Sequence, residues 1–146
     1  MAKPFSFKLE RVLDYRGQLE EQAKGELSRA QRVFDAQSAA VAGLEALFAE
    51  HMTKEMESHK SVNDMWLWRQ YREALQRDLV RERTALRELE LKLQQRREEA
   101  VERSRDRKLL EKLKETQARK YNEEASAREE KENDEMAAIR HRPQDF

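Results

Sequence analysis

The sequence predicts an all-α protein in which two long helices form an antiparallel coiled-coil hairpin, the second helix longer and ending in a C-terminal overhang. Three observations predict it. The first is composition. The 146 residues are 41% charged and 38% hydrophobic, against about 25% and roughly 45–50% in an ordinary soluble domain. About three-fifths of the chain is Ala, Leu, Glu, Lys or Arg, the usage of long helices and coils. The second is the placing of helix breakers. Gly17, Gly25 and Gly43 lie in the first third, Pro4 and Pro143 at the ends, and no Gly or Pro falls between Leu44 and Arg142. The third is an apolar heptad whose phase changes once.

Helix is expected from about Ser6, an N-cap residue type, to about His141, because a proline disfavours helix at the residue before it. In the first part Leu9, Ala23, Ala30 and Leu44 share one heptad position. Leu13, Leu27, Phe34, Val41 and Phe48 share the other, and Leu19, Val33 and Leu47 widen the stripe. In the second part Trp68, Leu75, Leu89 and Leu110 form one series and Leu79, Leu86, Leu93 and Ala100 the other. The phase shifts between about Glu50 and Trp66. A shift marks either a stutter or a turn, and the polar stretch Ser58 to Asp64 favours a turn. The expected organisation is one coiled-coil domain over 1–146: helix 1 at about 6–57, a turn at about 58–64, helix 2 at about 65–141 and a tail at 142–146.

A turn near residue 60 sets a register in which facing residues sum to about 120. It pairs Val41 with Leu79, Phe34 with Leu86, Leu27 with Leu93, Leu44 with Leu75 and, one step off, Leu9 with Leu110. The same register puts Arg16 near Arg103, Gln37 near Glu82 and Ala23 near Arg96, so the seam is partly polar. Long arginines snorkel outward, and Glu20 is placed to neutralise the Arg16–Arg103 pair. Residues from about Thr116 to His141 are left without an intramolecular partner, and helix this polar is marginal alone.

Chemistry finds little foothold. His51, Glu55 and His59 at i, i+4 and i+8 have the spacing of a metal site, yet surface residues near a turn are the simpler reading, and no metal or cofactor is expected. Most carboxylates have a basic neighbour three or four residues away, and two helices offer no desolvated pocket for acid–base work. The chain is therefore not expected to be an enzyme. Thirty basic and thirty acidic residues give zero net charge. In the locally basic run Arg96, Arg97, Arg103, Arg105, Arg107 and Lys108, the residues Glu98, Glu99, Glu102 and Asp106 interleave. No nucleic-acid partner is expected. There is no cysteine, hence no disulfide framework. Without a signal-like start or an apolar run of membrane-spanning length, the expectation is a cytoplasmic protein with no direct membrane insertion. Trp66, Trp68 and Tyr71, with Phe48 across the turn, form the aromatic tip. Trp68 and Phe48 are expected to face inward, and Trp66 and Tyr71 to be free as interface anchors.

The N-terminal pattern Phe5-x-Phe7-x-Leu9-Glu10-x-Val12-Leu13-x-x-Arg16 resembles the opening of the flagellar export protein family FliJ. So do the run Arg107-Lys108-Leu109-Leu110-Glu111-Lys112-Leu113-Lys114-Glu115, the later Tyr121, and Lys131-Glu132-x-Asp134-Glu135-Met136-Ala137. The resemblance covers nearly the whole chain. It implies an antiparallel hairpin similar to the central stalk of rotary ATPases. Such a stalk docks into the hexameric export ATPase ring, contacts the cytoplasmic domain of the export-gate membrane protein and recycles export chaperones, peripherally associated with the inner-membrane export apparatus. It maps ATPase binding onto Phe5, Phe7, Arg11, Arg107, Lys108, Glu111, Tyr121 and Met136. It maps gate binding onto Gln37, Val41, Leu44, Phe48, Trp66, Trp68, Tyr71 and Leu75, several of which the register also buries. The competing readings are the stalk of a virulence-type secretion system, a structural coil that homodimerises, and a regulator using the His51–His59 site.

Overall fold

The computed structural model describes residues 3–141. Helix α1 spans Glu10–Thr53, a short 3-10 segment spans Met56–Lys60 and helix α2 spans Val62–Arg140. There is no strand among the described residues. The two long helices pack into the all-α hairpin that the heptads predict. Where the sequence reads as one domain, the contacts group the chain into two units. A terminal unit joins the residues up to Glu20 with those from Arg103 onward, and a hairpin unit comprises Glu21–Glu102.

In the terminal unit α1 starts at Glu10, four residues later than Ser6 suggested. The reason lies in the two phenylalanines. On a helix, positions two apart point about 200° apart, whereas in an extended segment they share a side. Residues before the helix carry both rings to α2. Phe7 is buried with Leu13 and Leu110, and Phe5 packs on this cluster. The Phe5 ring also lies 5.7 Å from that of Tyr121, whose hydroxyl donates to the Lys3 carbonyl. Leu110 therefore meets Phe7 and Leu13 rather than the expected Leu9, which is 40% exposed.

The polar layers of this unit also differ from expectation. Arg16 Nη1 donates to the Asp106 carbonyl at 3.0 Å rather than facing Arg103. Glu20 is buried and binds Arg107 through two guanidinium nitrogens, and Arg107 reaches Glu111 at 2.6 Å. Hydrogen bonding to Glu20, then to Glu111, raises the Arg107 pKa above its already high ordinary value. Beyond Tyr121, every α2 side chain to Arg140 is exposed except half-buried Ala125. The expected tail, 142–146, lies outside the described residues.

In the hairpin unit the buried residues are Ala23, Val41, Trp68, Leu75, Leu79, Leu93 and Ala100. Gln37 Nε2 donates to the Glu82 carbonyl at 3.0 Å and to its carboxylate at 2.6 Å, so the polar layer foreseen there is a hydrogen-bonded one. Arg96 leaves the Ala23 layer for Glu26 at 3.2 Å and Glu99 at 3.0 Å. The hydrogen bond to Glu99, with attraction from both carboxylates, raises its pKa.

The turn occupies 54–61 rather than 58–64. Main-chain bonds tighten from the α to the 3-10 pattern, Lys54 N to His51 O at 3.1 Å and Ser58 N to Glu55 O at 3.1 Å. Ser58 Oγ also donates to Glu55 O. Ser61 then caps α2, its hydroxyl accepting from Asp64 N at 3.0 Å, a local bond that starts a helix. Helix α2 thus begins at Val62, three residues before the expected start.

Candidate interaction surfaces

Two faces carry the residues singled out from the sequence. Near the turn, Trp68 is buried and stacks on His51 with ring centroids 4.8 Å apart. The pair is clasped in both directions: Trp68 Nε1 donates to the His51 carbonyl at 3.0 Å, and His51 Nε2 lies 2.8 Å from the Trp68 carbonyl. A carbonyl only accepts, so the His51 proton in this bond sits on Nε2. The Arg72 guanidinium lies 5.3 Å from the Trp68 ring centroid, a cation–π arrangement. Tyr71 meets the His51 ring edge-on at 4.7 Å. His51 is thus committed to packing. Glu55 and His59 lie beyond the end of α1, so the helical spacing read as a metal site does not continue through them. The described residues hold no cluster of three or more His, Cys, Asp or Glu that suits a metal.

Of the residues mapped to gate binding, Val41, Trp68 and Leu75 are buried in the seam. Gln37 is held by Glu82, and Leu44 and Phe48 are half-buried. Trp66, at 56%, and Tyr71, at 49%, are open to solvent. Of the aromatic tip, Trp68 is buried as expected and Trp66 exposed, while Phe48 is only half-buried and Tyr71, though exposed, rests its ring against His51. Sequence reasoning passed over Met56, Val62 and Leu67, which are exposed. The uncharged run Met65–Trp68 was the available signal for Leu67.

Of the residues mapped to ATPase binding, Phe7 is buried, Phe5 and Tyr121 are half-buried against each other, and Arg107 is locked to Glu20 and Glu111. Arg11, Lys108 and Met136 are exposed. A shallow cleft beside Phe5 and Tyr121 is lined by Lys3, Lys8 and Lys120, with Glu124 as its acidic residue. The charged groups of both units form ion pairs on open faces, such as Glu10 with Lys114 at 2.8 Å and Glu45 with Arg83 at 3.0 Å. No helix of the described residues is long and apolar enough to cross a membrane.

Comparison with known proteins extends these observations. No curated protein and no solved structure matches the chain. The family model described as flagellar FliJ protein matches residues 5–145. That span takes in Phe5 and Phe7, both helices, the turn and the exposed end of α2, and on it the chain belongs to the flagellar FliJ protein family.

Proposed function

We propose that this protein serves flagellar type III protein export as a coiled-coil stalk and escort. In this reading the terminal unit docks into the hexameric export ATPase, the hairpin unit contacts the cytoplasmic domain of the export-gate membrane protein, and export chaperones are passed along. The single observation that carries it is the family match over residues 5–145 on a two-helix hairpin. The distribution of surface chemistry supports the division of labour. The terminal unit offers exposed Arg11 and Lys108, the lysine-lined cleft and the open helix to Met136. The hairpin unit offers Trp66 and Tyr71, large rings of the kind that anchor interfaces. Phe7, Val41, Trp68 and Leu75 shape those surfaces from within, because they are buried. Arg107 and Glu111 act through the Glu20 network.

The test is ATP hydrolysis by the cognate export ATPase. Adding the protein is expected to raise the rate or promote ring assembly, and Arg11→Glu with Lys108→Glu to abolish the effect. No change at saturating protein would overturn the ATPase assignment. Binding of the gate domain, measured separately, is expected to fall with Trp66→Ala and Tyr71→Ala and to survive the terminal charge reversals.

A further inference from the structure

Helix α1 has two unlike flanks beside its seam. At one heptad position stand Glu10, Gly17, Lys24, Gln31, Ser38 and Glu45, and this flank is laced to α2. In the hairpin unit Arg97 bonds Gln31 at 3.3 Å and Arg83 bonds Glu45 at 3.0 Å. The opposite flank, at 26, 33, 40 and 47, reads Glu, Val, Ala, Leu, with its outer neighbours at 29, 36, 43 and 50 reading Arg, Ala, Gly, Glu. Val33 is 52% and Leu47 47% exposed, and Ala36, Ala40 and Gly43 are exposed between them. The nine residues Ala36 to Leu44 form the longest uncharged run in a chain that is 41% charged. A Cβ built at Gly43 would meet nothing within 4 Å. Nothing within the hairpin unit therefore calls for glycine there, although glycine weakens a helix interior.

We infer that this face of α1 packs against the same face of a second copy of the chain, the two α1 helices running antiparallel about Ala40. The face is complementary to its own reverse in size and in charge. Around a two-fold axis at Ala40, Val33 meets the second copy's Leu47 and Ala40 meets Ala40. The outer series, one residue off that register, brings Ala36 beside Gly43, where small residues let helix backbones approach closely. The ends match in sign, since Arg29 meets Glu50, a pair that occurs twice. Both residues are exposed, and the present partner of Glu50, Lys54 at 3.3 Å, lies on an open face. An isologous two-fold interface requires this kind of self-complementarity. Neither flank chemistry nor small-residue spacing depends on the export partners, so the inference stands apart from the proposed function.

Sedimentation equilibrium on the full chain tests it. The mass is expected to rise with concentration from 17.5 kDa toward twice that value. Ala40→Arg is expected to hold the protein at monomer mass with its helical circular dichroism and melting retained. Arg29→Glu and Glu50→Arg are each expected to raise the dissociation constant about tenfold, as charge mismatch does across interfaces. The double variant R29E/E50R is expected to restore it by exchanging the signs. In the cysteine-free chain, Ala40→Cys is expected to form an interchain disulfide under mild oxidation and Ala42→Cys, on the other side of the helix, not to. A monomer at every concentration would overturn the inference, as would a dimer indifferent to Ala40→Arg or a double variant no tighter than the singles. A wild-type monomer that loses a different protein on Ala40→Arg would also overturn it, assigning the face to that protein instead.

Discussion

Glu20 is a carboxylate in an apolar seam, and Arg107 binds it through two guanidinium nitrogens. Removing one partner of a buried pair leaves the other desolvated with less compensation, which costs more than the loss of a solvated pair. Arg107→Ala is therefore expected to lower the melting temperature clearly more than Arg96→Ala, whose partners are solvated; thermal melts by circular dichroism compare them. Because the folded Arg107 pKa is raised, its stabilisation is present throughout the range below the ordinary arginine value and is lost only at pH above it. Alkaline titration within the working range is expected to leave this layer intact. Gly17 gives the opposite sign. A Cβ there meets nothing within 4 Å and its φ is negative, so Gly17→Ala is expected to stabilise the fold by roughly 0.5–1 kcal/mol in denaturant unfolding. The Glu20–Arg107 partnership was not legible in the sequence: a heptad register places residues to within about a turn, and the choice between Arg103 and Arg107 is a matter of one turn.

At the scale of elements, α1 and α2 were legible because a 3.6-residue apolar rhythm over dozens of residues leaves few alternatives. Their ends were less so, each for a local reason. The start of α1 yields to a two-residue rhythm that delivers Phe5 and Phe7 to α2. The turn yields to the Ser61 cap and to 3-10 bonds that charged residues near the end of α1 did not announce. Packing sets the energetics of the hairpin unit, where Leu93 is 2% exposed. Leu93→Ala is expected to cost about 2–4 kcal/mol, read from the shift of the denaturation midpoint. At the tip, the His51–Trp68 clasp separates two tryptophans only two residues apart. Single-tryptophan variants are expected to differ in emission: Trp66 alone at the longer wavelength of a solvated indole, Trp68 alone blue-shifted and quenched by the stacked imidazole. Equal spectra would show that the clasp is not formed.

Across the whole molecule, thin seams and many charges leave each unit's stability dependent on the layers it contains, while the end of α2 contributes to none of them. Two-helix topology was legible from the phase change together with the polar stretch Ser58 to Asp64. The assignment of partners was not, because exposed charges in a heptad protein look alike whether they meet solvent or another chain; there the resemblance carried by Phe5, Phe7 and the Arg107–Glu115 run supplied what periodicity lacks. The exposed stretch after Tyr121 makes this distinction measurable. Its side chains from Asn122 to Arg140 are solvent-facing apart from half-buried Ala125, so little apolar area is removed from water there, and burial is what stabilises helices of this composition. A chain ending at Asn122 is expected to lose helical signal in proportion to the residues removed while its main unfolding transition keeps its midpoint. The same truncation is expected to weaken the effect on the export ATPase, since it removes Met136 and the charged helix around it. A lowered midpoint would mean that these residues stabilise the folded units, and an undiminished effect on hydrolysis would move the ATPase contact to the cleft beside Phe5 and Tyr121.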